Sequence, residues 1–183
     1  MKRLLIYGEK NDLRISHLLA KTISAKAGVE YISFEGLKPL GNQPSSYIVF
    51  DTDQTVFSEH SKTILIFKKQ FDYSKKLHLQ KDSIIIFEGS NSRAINYIGK
   101  SNCNTLCCGV HSKDTISLSA NTDNRSCISI QREITTISGN IIEPMELAVN
   151  HLYPEEPYTL LATCAALLVC DIKPVCGEFS LLY

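Results

Sequence analysis

The sequence predicts an α/β fold whose sheet is mainly parallel and flanked by helices, with a small antiparallel meander in the C-terminal half. Three observations carry this expectation. Residues 4–7, 31–34, 47–50, 63–67, 83–87 and 105–108 form short apolar runs, several of them continuous, as strands covered on both faces require. Between the first two runs the apolar residues recur at helical spacing, so a helix connects parallel neighbours. From Thr115 onward the period changes to two, in TISLSA and CISIQREI, which is the pattern of antiparallel strands with one solvated face.

Taken in order, Leu4, Leu5 and Ile6 make the first strand and Gly8 permits a tight turn. Ile15, Leu18, Leu19, Ile23 and Ala27 then mark one helix face before Gly28 stops it. The stretch 37–46, rich in Pro, Gly and Asn, reads as a loop. A helix follows Ser90, with Ser90 or Asn91 as its N-cap. Residues 121–124 and 138–140 supply turns for the meander, whose charged residues Arg125, Arg132, Glu133, Glu143 and Glu146 alternate with apolar ones as an outer face would. A long helix over 158–171 closes the fold, and Pro174 bars its continuation.

A chain of 183 residues, 44% hydrophobic, suits one domain over 1–183, with the parallel part in 1–112 and the meander and closing helix in 113–183. Lys plus Arg and Asp plus Glu are both 19, so no bulk field draws nucleic acid or anionic lipid, and neither is expected as a partner. MKRLL opens like a signal peptide, but Tyr7, Gly8, Glu9 and Lys10 end the apolar stretch too early. The run 160–170 is too short to span a bilayer. A cytoplasmic protein without membrane insertion is expected. Seven cysteines, an odd number, argue against a disulfide framework. Cys103, Cys107 and Cys108 cluster without a Cys/His pair at finger spacing, which leaves buried strand thiols as the alternative to a metal site; Cys164 and Cys170 fall in the closing helix and read as core.

The opening IYGEKNDLRISHLLAKTISAKAG is laid out as a phosphate-binding strand, loop and helix, yet such a loop needs several glycines, a Lys and a Ser/Thr, and only Gly8 is present. It resembles the central domain of the Mur ligases, the ATP-dependent amide-forming enzymes of peptidoglycan synthesis, and the related folylpolyglutamate synthetases. On the family pattern GTxGKTT, Asn11 falls at the second glycine, Asp12 at the lysine and Leu13 at the metal-binding hydroxyl. The run from TLCCGVHSKD to EPMELAV resembles the Mur stretch of a strand ending in Gly, a polar loop and antiparallel strands, and YTLLATCAALLVCDI resembles a later Mur helix. The motif G-x-H-N-x-x-N that precedes that helix is replaced by HLYPEEPYTLLA. The resemblance implies a Rossmann-like, P-loop-type sheet and a vestigial nucleotide site at Gly8, Asn11, Asp12 and Asn91.

Asp51 follows the strand YIVF where the family has a Glu that helps bind Mg²⁺, so the resemblance implies Asp51 as a metal ligand; solvated strand-end carboxylates at Asp51 and Asp53 are the other reading. The family's metal-binding His and modified Lys belong to a region shortened here, where His60, Lys62, Lys68, Lys69 and His78 read as solvated charge. SIIIFEGSNSRAINYIG resembles the Mur strand that ends in Asn and an Asp pair, but Glu88, Gly89, Ser90 and Asn91 stand there. Cys108 and His111 are a conceivable thiol and base, against a buried strand residue beside a turn.

The expectation is therefore a non-catalytic Mur ligase-like domain without ATP or Mg²⁺. It would act in binding or scaffolding linked to the bacterial cell envelope or sporulation, as a homodimer or with a protein partner. Leu181, Leu182 and Tyr183 are candidates for the apolar surface such a partner would cover. The rivals are a ligase subunit acting in trans and a small-molecule enzyme with a site rebuilt from Glu9, Asp12, Asp51, Asp53, Asn91 and His111.

Overall fold

The computed structural model describes residues 1–183 except 56, 59–61, 73, 75–76, 100, 154 and 176, with the side chains of 57 and 58 also outside the description. His60, named above, lies outside the described residues. In chain order the elements are β1 (Lys2–Tyr7), α1 (Arg14–Ser24), β2 (Gly28–Ser33), β3 (Gly36–Leu40), β4 (Ser45–Thr52), β5 (Phe57–Ser58), β6 (Thr63–Phe67), β7 (His78–Leu79) and β8 (Ile84–Glu88). There follow α2 (Ser92–Ile98), β9 (Asn104–Gly109), β10 (Ile116–Asn121), β11 (Arg125–Ile130), β12 (Ile134–Thr135), β13 (Ile141–Ile142), β14 (Met145–Asn150), α3 (Pro157–Val169) and β15 (Glu178–Ser180).

Eleven of these strands form one mixed sheet in the order β15-β14-β11-β10-β9-β8-β6-β1-β4-β2-β3. The centre is parallel, with β1 between β4 and β6, and β10, β11 and β14 form the antiparallel meander. Alternation along the central strands explains how both faces are covered. Leu4, Ile6, Ile64, Ile66, Ile84 and Ile86 pack with α1 and α3, while Leu5, Tyr7, Leu65, Phe67 and Ile85 pack with Ala94 and Ile98 of α2. A continuous apolar run is the sequence form of a strand buried on both sides.

Helix α1 buries Ile15, Leu18, Leu19 and Ile23. Helix α3 is different: every residue from Tyr158 to Val169 is buried, as an all-round apolar helix must be. The sheet, α1 and the Thr136–Asn140 turn before β13 surround it, the last through Ile137 N–H to the Val169 carbonyl at 2.9 Å. The C-terminal tail also helps. Leu181 is buried with its N–H on Asn150 O, Leu182 N–H donates to Thr22 Oγ1 at 3.0 Å, and the Tyr183 ring stands edge-on to Tyr153. The tail therefore covers this chain's own apolar surface, and of the three residues proposed as a partner surface only Leu182 is substantially exposed.

The stretch read as a loop, 37–46, is corrected as well. Gly36–Leu40 is an edge strand, antiparallel to β2 with Leu37 opposite Ile32 and Pro39 opposite Glu30. It is nearly all exposed, so it carries no apolar alternation, and Pro39 is tolerated because an edge strand leaves one row of N–H groups unpaired.

Where α3 ends, Asp171 takes φ 61° and joins three elements. Lys2 Nζ meets its Oδ2 and Asn140 Nδ2 its Oδ1, both at 2.9 Å. Burial opposes its charge, but hydrogen bonds from Thr136, Asn140, Ser138 and Lys2 outweigh that and hold the carboxyl well below the usual range. A group whose folded pKa is depressed contributes stability above its unfolded pKa, near 4, and loses it as pH falls below that value. The thermal midpoint should therefore drop between pH 5 and pH 2 more steeply in the wild type than in Asp171→Asn, measured by circular dichroism.

Candidate functional site

The carboxyl ends of β4, β1 and β6 lie side by side, with Asp51 opposite Ile6 across one ladder and Phe67 opposite Tyr7 across the other. This brings Gly8, Asp51 and Lys68 together. Lys68 was read as solvated charge, but it is 1% exposed. Its ammonium donates to Asp51 Oδ1 at 2.6 Å and to the Glu9 carbonyl at 2.9 Å. Its stem lies over Gly8, where an added Cβ would come within 2.6 Å of Lys68 Cβ. Asp51 is likewise no solvated carboxylate. Burial pushes its pKa up, the hydrogen bond from Lys68 opposes the rise, and its Oδ2 has no hydrogen-bond partner. The Ser16 hydroxyl lies nearby but is bonded to Leu13 O and the Tyr31 hydroxyl.

The loop between β1 and α1 is turned the opposite way from a phosphate cradle, which presents converging backbone N–H groups. Here Gly8 N–H donates to Thr52 O at 3.1 Å, Glu9 N–H to Gln70 O at 2.8 Å and Asp12 N–H to Glu9 O at 3.2 Å. A carbonyl, that of Glu9, faces inward onto a cation. Asp12 pairs with Arg14 Nε at 2.8 Å, and that hydrogen bond holds its pKa down. Asn11 is exposed on the loop. Asn91 stands apart beyond β6 at the end of β8, where its Oδ1 caps α2 through Ala94 N–H and its Nδ2 donates to Lys69 O at 3.0 Å. Three loop amides engaged by protein carbonyls, and the buried carboxylate neutralised by lysine, do not fit a triphosphate with its Mg²⁺.

Beside the loop, Lys69 bridges Glu156 at 2.5 Å and Glu88 at 3.4 Å, tying the ends of β6 and β8 to the start of α3, which Glu156 caps. On the other side of Asp51 is a cleft of about 290 Å³ lined by Lys10, Ser33, Phe34, Asp51, Asp53 and others, with the Lys10 ammonium 5.0 Å from the Phe34 ring centre. His111 is exposed on the turn after β9, where its N–H meets Asp114 Oδ2. Cys108 is fully buried and burial pushes its thiol well up, so the structure gives no activated thiol beside His111. Among the described residues no group of three or more His, Cys, Asp and Glu could hold a metal ion, and no helix is long and apolar enough to cross a membrane.

No family model matches the sequence, and no curated protein sequence does either. Solved structures do match the fold. The murein peptide ligase Mpl from Psychrobacter arcticus superposes with a TM-score of 0.64 at 10% identity, over 91% of this chain and 43% of that one. The fold is that of the Mur ligases. MurF from Acinetobacter baumannii gives a TM-score of 0.63 at 9% identity over 94% of this chain and 43% of its own. MurF from Thermotoga maritima, determined with ADP, gives 0.56 at 10% over 93% and 45%. The chain thus spans under half the length of these Mur ligases.

The sequence missed Lys68. The signal was present in faint form: Asp51 and Lys68 each directly follow an apolar strand, and Gly8 follows the strand that lies between them.

Proposed function

We propose that this chain is a Mur ligase-like domain that has lost ATP-dependent ligation and acts by binding or scaffolding in the cytoplasm, in bacterial cell-envelope synthesis. It would do so as a homodimer or with a protein partner. The observation that supports this most is the inward Glu9 carbonyl held by Lys68, with the neighbouring amides of Gly8, Glu9 and Asp12 already bonded. A triphosphate would have to displace all of these and would meet Asp12 where the family lysine stands. Calorimetric titration of the purified protein with Mg-ATP should therefore give no binding. Micromolar affinity that Asp12→Ala abolishes would overturn the reading.

The cleft beside Asp51 favours a second reading, a small-molecule enzyme or binder with a site rebuilt at the carboxyl edge. Light scattering over a concentration series, with pull-down from the native host, separates the two. A strict monomer without a partner that turns over a metabolite, with turnover lost in Asp53→Asn, would reverse the order.

A further inference from the structure

Chain direction changes at β1: the path runs from β1 through α1 to β2 on one side, and then crosses from β4 over β1 to β6. Ligands of open α/β sheets collect in the crevice outside such a switch point. In this chain the crevice is filled from within, by an ammonium.

We infer that this crevice is a cation site shaped for a primary ammonium, and that Lys68 is its tethered occupant. The groups that face the ammonium are acceptors. The Glu9 carbonyl and Asp51 Oδ1 receive two of its N–H bonds, and Asp51 Oδ2 remains buried without a partner on the same carboxylate. The Asp12 carboxylate lies on the same loop and is paired with Arg14. A primary ammonium fits such a set because it has N–H donors and no acceptor, and a carboxylate has only acceptors. The aliphatic stem contributes shape by packing on the face of Gly8 that lacks a side chain. The loop has the layout of an anion site and the polarity of a cation site. This inference is independent of the scaffolding proposal, since it concerns what holds the loop and not what the surface binds.

The test is chemical rescue. Lys68→Ala removes three methylenes and the ammonium, which propylammonium replaces atom for atom. Thermal midpoints of the variant are measured against propylammonium, tetramethylammonium and potassium chlorides at equal ionic strength. The expected result is a saturable rise with propylammonium that recovers half or more of the variant's loss. It should be absent with tetramethylammonium, which has no N–H, and absent in the double variant Lys68→Ala/Asp51→Asn. Should Lys68→Ala not fold alone, its refolding yield in the same three salts is the readout, with recovery expected only in propylammonium. Equal responses to the three salts, a response that survives in the double variant, or no response to propylammonium in either measurement would each overturn the inference. None of these readouts depends on whether the wild type takes up Mg-ATP, so the two proposals fail separately.

Discussion

Asp51→Ala is expected to destabilise the protein by about 3–5 kcal/mol, because it strands the Lys68 ammonium in the interior with one backbone carbonyl for company. For a chain of this size each kcal/mol lowers the thermal midpoint by roughly 2–4 °C, so a fall of about 6–20 °C should be seen by calorimetry. The size of the effect comes from the charge left behind and not from the net strength of the pair. Bringing both ions out of water opposes much of their attraction, and a buried pair is often replaceable by apolar residues of similar volume. Asp51→Leu/Lys68→Met should accordingly recover most of the loss. The Asp12–Arg14 pair on the same loop is a useful contrast. The Arg14 side chain is 53% exposed, so Asp12→Ala should change stability by no more than about 1 kcal/mol. A loss in Asp51→Ala as small as that in Asp12→Ala would mean that Lys68 finds water once its partner is gone.

The framework of this fold was legible because its signals are local. The apolar runs at β1, β6 and β8 announce strands buried on both faces, and the spacing of Ile15, Leu18, Leu19 and Ile23 marks a helix wherever its neighbours lie. The same holds for α3, where apolar residues occupy the whole circumference. β3 was not legible for a converse reason: exposed on both faces, it buries too little to print a period on its sequence. Its strand character comes from pairing with β2, which is a tertiary fact.

The site was half legible. The Gly8 turn is written in the sequence, and so is the absence of a Lys and a Ser/Thr at Asp12 and Leu13, the positions that the resemblance sets against the family's phosphate-binding residues. The role of Lys68 is not, since it depends on β4 and β6 flanking β1, and a lysine after an apolar strand ordinarily reaches solvent. The resemblance points to Asp51 as a metal ligand, and the group that Asp51 holds in this structure is the Lys68 ammonium. The resemblance suggested a metal, whereas the strand order places an ammonium from 17 residues further along.

Gly8→Ala should be nearly as damaging, and by a different route. Gly8 has φ 153°, a value L side chains rarely adopt, and a Cβ there would stand 2.4 Å from Gln70 O and 2.6 Å from Lys68 Cβ. Gln70 O is a backbone atom that accepts the Glu9 N–H, so it cannot swing aside like the end of a side chain. Relief requires the Lys68–Gln70 segment to retreat from the loop, which weakens the Glu9 N–H bond and draws the ammonium away from Glu9 O. Backbone strain and overpacking of this kind together cost about 3 kcal/mol. Gly36→Ala separates the two causes. It also has positive φ, 122°, but an added Cβ meets nothing within 4 Å, so only the conformational part, about 1–2 kcal/mol, should appear. Urea unfolding of both variants checks this. Equal losses would show that conformation alone makes Gly8 necessary; a larger loss at Gly8, accompanied by faster hydrogen exchange at the Glu9 amide, is the expected result if contact with the Lys68 segment sets the loop.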